Sequence, residues 1–179
     1  MSNNKNTFEI HRYYGVVPPH LESYYQNENN EHVYISQQSQ PSEREENIRM
    51  AKFLAQITKE RIYLLPHIQP TQKDAKRLRK EFFPEGVKEN KNPDYYFRGR
   101  FVDAKCMSKS ELNTQKLTKR NIQNRLKEAF IQADDAYLEI PNTYPRKWVE
   151  EAVRGKLNST THYHIVYLRY GDEFFVFQS

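Results

Sequence analysis

A chain of 179 residues with a formal net charge of +5 is long enough for one domain with its own core, and its basic balance admits a polyanionic partner without demanding one. Only 5 glycines and 9 prolines exclude a collagen-like or low-complexity chain, and the single cysteine, Cys106, excludes an internal disulfide, which suits a reducing, cytoplasmic setting. The polar start from Met1 to Thr7 does not read as a signal peptide, and no apolar run approaches a membrane span, so no membrane partner is expected.

Residues 1–40 are the least legible and read as an N-terminal extension ahead of a domain at 41–179. Phe8, Ile10, Tyr13, Tyr14, Val16 and Val17 suggest a strand ending at Pro18-Pro19, and His32 to Ile35 suggests another. Gln26 to Asn30 reads as a polar loop and Gln37 to Pro41 as a linker. His11, His20 and His32 have no metal-ligand spacing. The tyrosines here either stack on bases or cover the side of the core.

Ser42 to Ile57 is expected to be a helix, with Ser42 as N-cap, Glu45 completing a capping box, and Ile48, Ala51, Leu54 and Ala55 on its apolar face. Ile62 to Leu65 reads as a buried strand stopped by Pro66. Thr71 to Phe82 reads as a helix or helical loop carrying Lys73, Lys76, Arg77, Arg79 and Lys80. These cations form either a solvated face or an arm for phosphates. Lys88 and Lys91 extend the positive charge towards Asp94.

The stretch from Lys91 to Cys106 organises the rest. Tyr95 to Phe97 and Arg100 to Cys106 read as two strands joined at Arg98-Gly99, where Gly99 supplies a positive φ. Asp103 and Lys105 are two apart on a strand and share a face, and the hairpin brings Asp94 back towards them. Two converging carboxylates can hold a hard divalent cation, and a lysine beside them can orient a water or steady charge building on a phosphate. The alternative is a same-face surface ion pair of little energetic weight.

Further on, Ser108 to Leu117 reads as a loop or irregular helix and Thr118 to Ala133 as a helix with Ile122, Leu126 and Ala129 inward. Ala136 to Ile140 reads as a strand, Arg146 to Leu157 as a helix, Tyr163 to Leu168 as a strand and Glu173 to Phe177 as its hairpin partner. His162 and His164 fall on one face of the Tyr163–Leu168 strand without a third ligand beside them. The alternation implies an α/β layered domain with a mixed sheet flanked by helices.

Pro93-Asp94 followed by Asp103-Ala104-Lys105 resembles the PD-(D/E)xK motif of restriction-endonuclease-like nucleases. More narrowly, the chain from about Pro41 onward is similar to the C-terminal tRNA nuclease domains of contact-dependent growth inhibition toxins. That similarity adds Glu46-Asn47 before Ala51, Ile62 to Pro66, Gly99, Asn121-Ile122 and Gln132-Ala133. The resemblance implies a restriction-endonuclease-like fold and a phosphodiester hydrolase dependent on Mg²⁺, or on Mn²⁺ or Zn²⁺. It implies metal ligation by Asp94, Asp103, the Ala104 carbonyl and a first-helix glutamate, Glu46 with Glu45 as the rival, and Lys105 at the attacking water. Gln132 is implied near the scissile phosphate. Lys88, Lys91, Arg98, Arg100 and Arg77 would hold the nucleic acid, with tRNA favoured over DNA and room for a cognate immunity protein. Two other readings stay open. One is a metal-free, barnase-like ribonuclease using His162 and His164. The other is a binding or protein-interaction module without catalysis.

Overall fold

Side chains alternate between the two faces of a strand, so the apolar positions of each strand decide which layer covers it. The computed structural model describes residues 25–27, 32–36, 41–83, 90–107 and 118–179. Within them the chain runs β1 (Tyr25–Asn27), β2 (Val33–Ser36), α1 (Pro41–Thr58), β3 (Ile62–Leu64), α2 (Ala75–Phe82), β4 (Tyr95–Phe97), β5 (Arg100–Cys106), α3 (Lys119–Gln132), β6 (Asp135–Ile140), α4 (Arg146–Leu157), β7 (Ile165–Tyr170) and β8 (Glu173–Gln178).

The strands form one eight-stranded mixed sheet in sequence order. The pairs β2–β3, β5–β6 and β6–β7 are parallel. A parallel connection needs a long crossover, and α1, α3 and α4 supply them. The remaining neighbours are antiparallel. The α/β class with a mixed sheet and flanking helices is therefore the architecture of the described residues.

Alternation sorts the core. Ala136, Leu138 and Ile140 of β6 pack with Val166 and Leu168 of β7 against Ile122, Leu126 and Ala129 of α3 and Val149, Ala152 and Val153 of α4. Tyr137 and Tyr167, the intervening residues, turn to the other face and meet Met50, Ala51, Leu54 and Ala55 of α1. Ala75, Leu78 and Phe82 of α2 cover Tyr63, Leu65 and Phe101. Since Tyr63 and Phe101 alternate with Leu64 and Val102 of the α1 layer, α2 lies on the same side of the sheet as α3 and α4. Each fully buried leucine, valine or isoleucine contributes about 1.5–3 kcal/mol.

Local signals explain most boundaries. Thr118 caps α3, its Oγ1 accepting from the Asn121 N–H at 3.2 Å. The β4–β5 hairpin turns at Arg98 (φ 52°) and Gly99 (φ 77°), the pair of positive φ values that a two-residue turn of this twist requires. Glycine adopts that φ freely, whereas Arg98 does so at a cost. Its guanidinium is fixed by two hydrogen bonds to Glu60 (2.9 and 2.8 Å) and lies 5.1 Å from the Phe97 ring centroid.

Several expectations shift. α1 starts at Pro41, whose locked φ suits a first helical turn, so Ser42 lies inside the helix rather than capping it. Residues 25–27, of which Gln26 and Asn27 are expected to open a polar loop, pair with β2 as an edge strand. Residues 71–74 are turns, and Asp74 enters α2 with φ 63°. β7 begins at Ile165, so His162 and His164 precede it. The expected strand around residues 8–17, Lys88 and the 108–117 segment lie outside the described residues. Among the described residues, no helix is long and apolar enough to cross a membrane.

Candidate functional site

The hairpin builds the site by extending its own ladder. The Asp94 N–H donates to Val102 O (3.1 Å) and the Leu65 N–H donates to Asp94 O (2.9 Å), so Asp94 is held between β3 and β5 one residue before β4. Its Oδ2 accepts from the Ala104 N–H at 2.7 Å, and its Oδ1 accepts from Asn47 Nδ2 at 3.1 Å. The N–H and C=O of one strand residue point to the same side, so the Ala104 carbonyl also faces Asp94.

Asp103 is buried, with 3% of its surface exposed. The position expected for a surface ion pair is therefore an interior one. Lys105 Nζ lies 2.5 Å from Asp103 Oδ2, an ion pair on a buried carboxylate. Burial first, and then the charge of Asp94, push the Asp103 carboxyl up to about 7 against the opposing pull of Lys105. The two carboxyl groups are close enough to share a proton. With both carboxyl groups ionised, two carboxylates face one ammonium and leave a net negative charge that a cation would offset. All-oxygen donors of this kind suit a hard ion that keeps its own waters, Mg²⁺ or Mn²⁺, better than Zn²⁺.

The other expected site residues distribute differently. Glu46 is exposed on α1, its carboxylate 4.0 Å from Arg49, while the Cys106 thiol donates to Glu139 Oε2 at 3.6 Å. Asn47, the next residue, is the one that reaches Asp94, because one step along a helix swings the side chain by about 100°. Arg98 holds Glu60. Arg100 makes a two-pronged pair with Asp135 (2.6 and 2.9 Å) and donates to Tyr163 O (3.2 Å). Arg77 is exposed and paired with Glu81 at 2.9 Å. Lys91 is half-buried and Gln132 sits half-buried in the last turn of α3. Among the described residues, no three His, Cys, Asp or Glu side chains are grouped to hold a metal ion.

His162 and His164 do not form an isolated acid–base pair. The His164 ring stacks on Phe130 at 4.0 Å and is buried, and its Nδ1 meets Asp134 O; the His162 ring is 6.4 Å from it and exposed.

A second polar group lies at the carboxyl ends of β5, β6 and β7, where α/β sheets bind ligands. Cys106 pairs with Glu139, and Glu139 with Arg169, along one row. Glu139 receives Arg49 (Nη1 at 2.8 Å) and Arg169 (Nη1 at 2.7 Å). Burial raises the Glu139 carboxyl, but the two guanidinium groups outweigh it and hold it below the usual range. The Cys106 thiol is pushed up to about 12, first by burial and then by Glu46 and Glu139, so it stays protonated at neutral pH. The cleft here has a volume of about 360 Å³. The sequence does not announce this arrangement, because Glu139 reads there as the polar interruption of an apolar strand. No family model matches the chain, and neither a curated protein nor a solved structure matches it.

Proposed function

We propose that the protein is a metal-dependent nuclease that hydrolyses phosphodiester bonds in nucleic acid, with tRNA favoured over DNA by the toxin resemblance. The observation that carries this reading is the buried Asp103 carboxylate, set against Asp94 and Lys105 on one hairpin. Burial together with a specific charged partner is the way active sites shift a carboxyl to suit its chemistry. The order α1–β3–β4–β5–α3–β6, with β4 and β5 a hairpin and β6 parallel beside β5, is also the order that the restriction-endonuclease-like resemblance implies, α2 being an insertion between β3 and β4.

In this reading Asp94, Asp103 and the Ala104 carbonyl hold the ion, and Glu46 joins only through movement of its exposed side chain. A bound divalent ion supplies polarisation of a phosphoryl oxygen and a more acidic water. The chain's own residues do the rest. Asn47 and the Ala104 N–H fix the Asp94 carboxylate in one orientation. Lys105, three-quarters buried beside Asp103, orients the attacking water and offsets charge building on the phosphate. Replacing the residue that orients a ligand costs about 10- to 100-fold. Asn47→Ala is therefore expected to slow cleavage about tenfold while the fold persists, measured as initial rate and melting temperature.

The test is incubation of total tRNA and of plasmid DNA with the wild type in Mg²⁺, Mn²⁺ or EDTA. The expected result is cutting that needs the ion, and the polymer that is cut names the substrate. Cutting that survives EDTA would instead place the chemistry on acid–base side chains.

A further inference from the structure

One row of aromatic side chains crosses four strands beside the site. Tyr34 pairs with Tyr63, Tyr63 with Tyr96, and Tyr96 with Phe101. Tyr34 and Tyr63 stack with centroids 5.0 Å apart, and Tyr96 meets Phe101 edge-on at 5.3 Å. Alternation along β5 puts Phe101, Asp103 and Lys105 on one face. At about 3.3 Å per residue, the row ends about 7 Å from Asp103.

Core packing covers this row unevenly. Tyr63 and Phe101 are buried beneath Leu78 and Phe82 of α2. Tyr34 and Tyr96 pack against the same cluster but stay half-buried, so part of each ring remains at the surface. One cation lies over the row, and others line the helix that covers it. The Arg61 guanidinium lies 5.7 Å from the Tyr34 ring centroid. The outer side of α2 and the turn before it expose Lys73, Lys76, Arg77 and Lys80. Arg79 turns inward from the same helix and donates to Lys91 O (2.6 Å) and Asn92 Oδ1 (3.1 Å), just before Asp94. The cationic helix is thereby tied to the segment that positions the candidate site.

Aromatic faces with cations alongside bind unpaired nucleotides, whose bases are free to stack; the bases of a duplex already stack on one another. We propose that this face binds a single-stranded segment of nucleic acid, with bases on Tyr34 and Tyr96, phosphates on the α2 cations, and the strand leading towards Asp103. The direction of the strand rests on the nuclease reading, but the binding is measurable without it.

The experiment is fluorescence anisotropy with a dye-labelled oligonucleotide of about 12 nucleotides, single-stranded or annealed to its complement, titrated with the full chain carrying Asp103→Asn so that nothing is cut. The single strand is expected to bind about tenfold or more tighter than the duplex. Tyr34→Ala and Tyr96→Ala are each expected to weaken it about 5- to 100-fold without changing the dependence on salt. Lys76→Ala with Lys80→Ala is expected to reduce the slope of log affinity against log salt by about 0.7 for each phosphate that the protein no longer neutralises. Tyr34→Leu keeps an apolar side chain against Tyr63 and removes the ring face, so it reads stacking even where an alanine variant misfolds. Duplex binding as tight as single-strand binding, or a folded Tyr34→Leu and Tyr96→Leu pair that bind like their parent, would overturn the proposal. If those variants bind normally while the wild type cuts, the face fails and the nuclease reading stands. If they lose binding while the wild type never cuts, the nuclease reading fails and the face stands.

Discussion

Asp103→Asn is expected to stabilise the metal-free protein above neutral pH while abolishing its cleavage. The carboxyl has a usual value of 3.8 and is pushed up to about 7 in the fold. Below about pH 4 both folded and unfolded chains carry the proton, and Asp103 imposes no penalty. Between about 4 and 7 the folded chain keeps a proton that the unfolded chain releases, so stability falls as pH rises through that window. Above about 7 the penalty is complete, about 4 kcal/mol at 1.36 kcal/mol per pH unit. Asparagine removes the charge, but a buried amide hydrogen left without an acceptor costs about 1–3 kcal/mol, so the net gain is expected at about 2 kcal/mol. That corresponds to a rise in Tm of about 4–8 °C at pH 8 for a chain of this size, with little difference at pH 4. The measurement is thermal unfolding by circular dichroism at both pH values. Mg²⁺ or Mn²⁺ is expected to raise the Tm of the wild type at pH 8 and to leave the variant where it is. A site that loses stability to gain function behaves in this way. A structural ion pair would give the opposite sign, with Asp103→Asn destabilising at pH 8.

The second large effect lies at Arg100, which looks like a nucleic-acid contact from the sequence and is a structural residue by its surroundings. Asp135 is fully buried, its carboxylate accepting from Arg100 and from the Ile165 N–H (2.8 Å). Burial raises the Asp135 carboxyl, and Arg100 is the main opposing influence. Arg100→Met leaves that carboxylate buried without its cation, which costs about 3–5 kcal/mol, or a drop in Tm of about 10 °C. The loss is expected to shrink in acid, where Asp135 takes up a proton, and to be largely reversed by adding Asp135→Asn. Denaturant unfolding of the two single variants and the double variant measures this coupling. An Arg100→Met protein that keeps its stability and loses nucleic-acid affinity would return Arg100 to the binding surface.

Long periodic segments were legible. The apolar spacing of Ile122, Leu126 and Ala129, and of Val149, Ala152 and Val153, marks α3 and α4 because helices that cover a sheet repeat their buried face every three to four residues. The β4–β5 hairpin was legible because Gly99 and the flanking aromatic residues state both the turn and the strands. What sequence spacing does not carry is contact between distant elements. Nothing near Asn47 announces Asp94, 47 residues away, and nothing near Arg100 announces Asp135. The shift at Pro41 arises because proline suits both a linker and a first helical turn, and the shift at Ile165 because turn and strand residues have similar chemistry there, so pairing with the neighbouring strands decides the boundary. Asp103 was legible as a candidate through its spacing from Lys105, but its burial was not, since that follows from the layers packed on both faces of β5.

The central claim is that the Asp94–Asp103–Lys105 group performs ion-dependent phosphodiester hydrolysis. The most direct test is single-turnover cleavage of a labelled substrate at saturating Mg²⁺ by the wild type, Asp103→Asn and Lys105→Met, with binding measured on the same preparations. Both variants are expected to cleave slower by about 10² or more, with affinity for the substrate within about threefold of the wild type. Equal rates in all three proteins would contradict the claim and move the chemistry, if any, away from the hairpin.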